Sequence, residues 1–117
     1  MRWVSIAMVV AAVLVPRSAS AGDYAPLNCA KASSSSEHAI CGSYALGQLE
    51  ARMATLYGIA TSLVAMGQRG DIEDAQRMWL KTRDACGERV ACLNTAYEDR
   101  IRALNYVVAG VATHGPF

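Results

Sequence analysis

No hydrophobic run in these 117 residues is long enough to cross a membrane. The longest, residues 3–15, offers about 13 apolar or small positions where a bilayer core needs roughly 20, which excludes a transmembrane anchor. An excess of one charge is also missing. The 11 basic and 10 acidic residues leave a formal charge of +1, which gives no hint of nucleic-acid binding, a function that would want a clustered basic face. Histidine is scarce: His38 and His114 are the only two, and neither has an aspartate or cysteine at ligand or triad spacing. They read as solvated residues, not as parts of a catalytic or metal set, which needs convergent groups. No stretch alternates apolar and polar residues over strand length, so a sheet is not expected. The cysteines lack the tight C-x2-C spacing that structural zinc takes, so no metal or other cofactor is expected.

What is present begins with a leader. A positively charged start, Met1-Arg2, precedes the apolar run. Pro16 interrupts it, and Ala19-Ser20-Ala21 places small residues at −3 and −1 of a cleavage point. This three-part layout predicts a secretory signal peptide over residues 1–21, and a single domain over residues 22–117. The first cysteine, Cys29, lies eight positions past that point, so a lipid anchor is not expected. The 53% hydrophobic content of the whole chain is inflated by this leader. Arg2 and Arg17 leave with it, and the mature domain then carries 9 − 10 = −1.

Cys29, Cys41, Cys86 and Cys92 all fall in the mature part. An even count in a short exported chain predicts two disulfides. Cys86 and Cys92 flank the expected turn between the last two helices, and Cys29 and Cys41 would tie the lead-in to the first helix. The local pairing Cys29–Cys41 and Cys86–Cys92 is therefore favoured among the three that four cysteines allow.

The mature segment reads as helical throughout. Residues 22–31, with Pro26, form an extended lead-in. Ser34 followed by Glu37 is a capping-box pattern, opening a short helix over residues 37–41 that Gly42 stops. Leu46, Leu49, Met53, Leu56, Tyr57, Ala60 and Val64 recur at steps of three and four, marking one helix face. Gly67 is the expected cap of that helix, in a left-handed conformation, and residues 68–70 the expected turn. Asp71 then reads as the N-cap of a third helix, with Glu73 and Asp74 complementing its dipole. The third stripe is Ile72, Ala75, Trp79 and Cys86, broken by Gly87. The fourth, over residues 90–108, is Leu93, Tyr97, Ile101, Leu104 and Val108, and the tail at 109–117 is expected to fray. The fold class is all-α: a small antiparallel helical bundle stapled by two disulfides.

Candidate chemistry is sparse. Asp71, Glu73 and Asp74 superficially resemble the paired carboxylates of a glycosidase, but a helix start already accounts for them. Arg69-Gly70-Asp71 is an adhesion-type tripeptide that an ordinary turn explains. Gln76, Trp79 and Arg83 share a helix face, where Arg83 is placed to lie over the indole or to pair with an acid of a neighbouring helix. Asp84 is expected to hold the corner beside Cys86. No catalytic residue is assigned, and the chain does not read as an enzyme.

The ordered set Cys29-Ala30-Lys31-Ala32, Glu37-x-x-Ile40-Cys41 and Leu46-x-x-Leu49-Glu50, with Met53 and Tyr57, continues into a second block. That block is Gln76-x-x-Trp79-Leu80-x-x-Arg83-Asp84-x-Cys86, then Cys92-Leu93-x-x-x-Tyr97-x-x-Arg100-Ile101. Together these resemble the LprI-like N-terminal domain, a bacterial family named after a lysozyme-inhibiting lipoprotein, across roughly residues 29–104. Two departures stand out: Glu50 occupies a position where the family pattern suggests aspartate, and no lipid-bearing cysteine follows the leader. The resemblance implies a Gram-negative periplasmic or secreted protein that binds a lysozyme and blocks its cleft. Lysozymes are commonly cationic, so Asp71, Glu73 and Asp74 are the partner-contact candidates. Another class of function is an envelope protein that binds a different protein or the cell wall and leaves lysozyme untouched.

Overall fold

The computed structural model describes residues 27–114. The expected leader, its cleavage point and residues 22–26 lie outside them. A single 3-10 turn, Cys29–Lys31, is followed by α1 (Ser35–Cys41), α2 (Tyr44–Leu63), α3 (Met66–Ala85) and α4 (Val90–His114). No strand occurs among the described residues.

The starts of the 3-10 turn, α1 and α2 are chemically explicable. The Ser34 hydroxyl accepts from the Glu37 backbone N–H at 3.1 Å, and Glu37 reaches back to the N–H of Ser33 at 3.0 Å. This is the expected capping box, with the glutamate landing one residue earlier than the standard pattern. Ser43 caps α2 through Leu46 N–H at 3.2 Å. Asn28 caps the 3-10 turn, so the lead-in is not extended throughout.

The corner between α2 and α3 differs from expectation. The chain turns at Val64 and Ala65, both extended at ψ 161° and 158° with negative φ. An L-residue adopts that backbone freely, so no glycine is needed there. Gly67 is therefore inside α3, not a left-handed cap, and Asp71 is in its second turn, not at its N-cap. Ala65 takes that position with no side-chain hydrogen bond. Among the described residues only Gly87 has positive φ, at 58°, and it breaks the chain after α3 as expected. The fourth helix also runs further than expected, to His114. Val107, Val108 and Val111 pack against the core, and their burial carries the helix through Gly110.

Trp79 donates to the Ala96 carbonyl, and Arg100 to Gln76 and to the Ile72 carbonyl. Residue numbers fall on α3 as they rise on α4, so the two run antiparallel. Contacts from Gln76 to Met53 and from Arg69 to Thr61 make α3 antiparallel to α2 as well. The core is formed by Ile40, Leu46, Met53, Ala60, Val64, Ile72, Trp79, Leu93, Tyr97, Ile101 and Leu104 with smaller partners. Three stripes thus point inward as the periodicity requires, and Val108 is half-buried. Ala75 is the exception and is exposed. The disulfides are Cys29–Cys41 and Cys86–Cys92, and they account for every described cysteine.

Candidate functional site

Among the described residues four polar side chains are fully or almost fully buried: Ser36, Glu50, Arg83 and Arg100. An unpaired charge in an apolar interior costs several kcal/mol, so each demands a partner. Glu50, from α2, accepts the Tyr97 hydroxyl of α4 through Oε2 and the Leu27 backbone N–H through Oε1 at 3.2 Å. Tyr97 is completely buried and meets Trp79 edge to face, with centroids 5.2 Å apart. Arg83 lies over the same indole at 5.9 Å. It donates through Nε and Nη2 to Asp84 Oδ1 at 3.0 and 2.9 Å, and its guanidinium is 3.9 Å from Glu37. Both roles foreseen for Arg83 are thus filled at once. Asp84 also accepts from the Ser36 hydroxyl at 2.9 Å, pinning α1 to α3.

Arg100 is the odd member. Its donors go to Gln76 Oε1 at 2.8 Å and the Ile72 carbonyl at 3.2 Å, and no carboxylate lies within 4 Å of it among the described residues. Burial lowers its pKa. For Arg83, burial also lowers the pKa, but the hydrogen bond with Asp84 and the charge of its carboxylate oppose it and the net shift is upward. The Tyr97 hydroxyl is pushed far above its usual value of 10.0, by burial first and then by the Glu50 carboxylate.

That last shift has a measurable consequence. The native state keeps the Tyr97 proton at pH values where the unfolded chain has released it. The stabilisation is therefore complete below pH 10 and is lost as pH rises beyond it, at about 1.4 kcal/mol per pH unit. Tyr97→Phe is expected to flatten this alkaline slope, and urea unfolding between pH 9.5 and 11.5 measures it.

No described buried side-chain nitrogen or oxygen lacks a hydrogen-bond partner. Above the cluster a groove of about 460 Å³ opens between α2 and α3, bordered by Leu27, Tyr57, Glu73, Gln76 and Arg77, with Glu50 and Arg83 among its lining. The sequence pattern singled out Glu37, Tyr57, Gln76, Trp79, Arg83, Asp84, Tyr97 and Arg100, and the structure gathers all eight around this interior cluster and its groove. Sequence reasoning gave Glu50 no role of its own. A signal existed, since residue 50 falls four after Leu46 and three before Met53, which places a carboxylate on the buried stripe. Ser36 carried no such signal.

The three acids lie within α3, not in a connecting turn, and do not share one environment. Asp71 and Asp74 are exposed on α3, Asp74 paired with Arg77, while Glu73 is half-buried along the groove. His38 and His114 are both exposed. Among the described residues no group of three metal-ligating side chains forms.

Arg69 went unremarked as a contact residue. Its Nε donates to the Thr61 carbonyl at 2.8 Å across the α2–α3 corner, and among the described residues no carboxylate lies within 4 Å of its guanidinium. Ile59, Leu63 and Met66 surround that corner and are 41%, 39% and 84% exposed.

The fold and the interior cluster define a stapled all-helical scaffold whose buried polar groups hold its own helices together and whose outer surfaces remain for contact. The chain belongs to the lysozyme inhibitor LprI family, whose model matches residues 29–104. That span takes in both disulfides and every member of the buried cluster. No curated protein and no solved structure is significantly similar to the chain.

Proposed function

We propose that this chain is an exported periplasmic or secreted protein that binds a lysozyme and blocks its activity stoichiometrically. The observation that carries the reading is the family match over residues 29–104. Two further features support it. A pair of disulfides suits an oxidising compartment outside the cytoplasm, and the leader pattern of residues 1–21 suits export. No described helix is long and apolar enough to cross a membrane. The groups that would otherwise suggest chemistry, Glu50, Tyr97, Arg83 and Asp84, are engaged with one another.

The test is a titration of the oxidised mature protein, residues 22–117, into chicken-type and goose-type lysozymes acting on cell walls. Saturable loss of lysis near a one-to-one ratio is the expected result. Unchanged lysis with both enzymes, from folded protein, removes the reading.

Asp71, Glu73 and Asp74 fit a steering role toward a cationic enzyme. Rim charges act mainly on the association rate. The variant D71N/E73Q/D74N is expected to bind a few-fold more slowly at low salt, with less effect at about 0.5 M salt, where the screening length is only about 4 Å. Stopped-flow mixing with lysozyme measures this, and an unchanged association rate at low salt removes the three acids from the interface.

A further inference from the structure

We infer that the α2–α3 corner, residues 59–70, is the surface that enters the partner's cleft, with Arg69 as the group that meets the acidic side chains there. This rests on the lysozyme-binding reading above and assigns it a site.

The first observation is the state of Arg69. Among the exposed arginines, Arg77 is paired with Asp74 and Arg102 with Asp99, while Arg52, Arg69 and Arg89 are not ion-paired among the described residues. Arg69 has no carboxylate within 4 Å among the described residues, and its nearest acidic neighbours in sequence, Asp71 and Glu73, do not reach it. Yet it is not a loose side chain, because Nε is tied to the Thr61 carbonyl at 2.8 Å. That bond leaves both terminal amino groups of the guanidinium for an incoming carboxylate, the two-pronged geometry in which arginine exceeds lysine.

The second observation is what surrounds it. Residues 53–68 contain no Asp, Glu, Lys, Arg or His, and neither do residues 103–113. The antiparallel course of α3 and α4 brings the second stretch toward the same end of the bundle. By contrast, residues 71–84 contain Asp71, Glu73, Asp74, Arg77, Lys81, Arg83 and Asp84. One end of the molecule is thus free of formal charge except for Arg69 and, at the last turn of α4, His114. Exposed Ile59, Leu63 and Met66 supply apolar area at the same corner. An apolar centre depleted of charge, with an arginine anchor, is the usual anatomy of a protein interface.

The third observation is shape. The connection is only Val64 and Ala65, and a Cβ placed on Gly67 or Gly70 would meet nothing within 4 Å. The corner is narrow, and its first helical turn is open to close approach.

The partner these features fit is a glycosidase cleft. Such clefts carry a pair of carboxyl groups flanking the scissile bond, and the cleft sugars pack on apolar and aromatic walls. A cation with an apolar collar complements that chemistry, whereas the acids of α3 would be repelled by it. Asp71 and Asp74, about half a turn and about one and a half turns beyond Arg69 along α3, then fall at the rim.

The experiment measures lysozyme inhibition and affinity for the wild-type domain, R69A, R69E and the control R52E. The control makes the same charge reversal at an exposed site about 18 Å back along α2. Thermal unfolding of each variant confirms that the fold is kept. R69A is expected to weaken binding at least about tenfold and R69E further, with R52E within about twofold. A lysozyme with both cleft carboxylates replaced by amides is expected to lose most of the discrimination between wild type and R69A. If wild type inhibits and R69E inhibits equally well, the corner is not the cleft-entering surface, while lysozyme binding stands. If wild type itself neither binds nor inhibits, the functional reading fails and this assignment fails with it.

Discussion

Replacing Tyr97 with alanine is expected to lower the thermal midpoint of the oxidised domain by at least about 15 °C. Tyr97 is wholly enclosed, and truncating a buried aromatic ring costs about 3–5 kcal/mol in lost contacts and residual cavity. The same change strips Glu50 of its hydroxyl donor and leaves only the Leu27 N–H on that carboxylate, a further cost of about 1–3 kcal/mol. In a domain of this size each kcal/mol corresponds to about 4–8 °C. Tyr97→Phe keeps the ring and isolates the hydroxyl, so its loss should be the smaller part. The pair E50Q and Y97F shares one contact, and the double variant should cost less than the sum of the two singles. Calorimetry of the four proteins decides it. A midpoint for Tyr97→Ala within about 5 °C of wild type would mean that the ring is not the keystone of α2–α4 packing.

Reducing both disulfides should have an effect of similar size. Their sequence separations are 12 and 6, and chain-entropy reasoning assigns about 3 and about 2.5 kcal/mol to such loops. Small domains fold with only 5–15 kcal/mol in hand, so loss of both staples removes a large share. The midpoint is expected to fall by at least about 20 °C in excess dithiothreitol. The variants C29S/C41S and C86S/C92S should each show about half the loss. The two halves are physically different. Cys86–Cys92 closes the α3–α4 connection around Gly87. Cys29–Cys41 fixes the 3-10 turn that places the Leu27 N–H on Glu50, so C29S/C41S should also expose the Leu27 amide to faster hydrogen exchange. An unshifted midpoint under reduction would show that the core alone carries the fold.

Much of this architecture could be read from residue order. The stripes of α2 and α4, the capping box at Ser34 and Glu37, the break at Gly87 and the cysteine pairing all rest on local periodicity, which a helical chain displays directly. What was not legible depends on contacts between distant residues. Gly67 looks like a helix stop because glycine tolerates left-handed backbone, but the turn is made earlier by Val64 and Ala65 in extended conformations, and that choice is set by how α3 docks. The end of α4 was hidden for a related reason: Gly110 signals a stop locally, while burial of Val107, Val108 and Val111 overrides it. The acids at 71–74 look like one group in sequence, yet a helix sends Glu73 toward the groove and Asp71 and Asp74 to solvent. The anchoring of Arg69 was not legible either, since it comes from a carbonyl eight residues away.

The most direct test of the central claim is competition calorimetry. The oxidised domain is titrated into lysozyme with and without a chitin oligosaccharide that fills the enzyme's cleft. One-to-one binding that weakens in proportion to oligosaccharide occupancy is the predicted result, because both ligands need the same cleft. Undiminished binding to the saturated enzyme, or no binding to the free one, would contradict the claim.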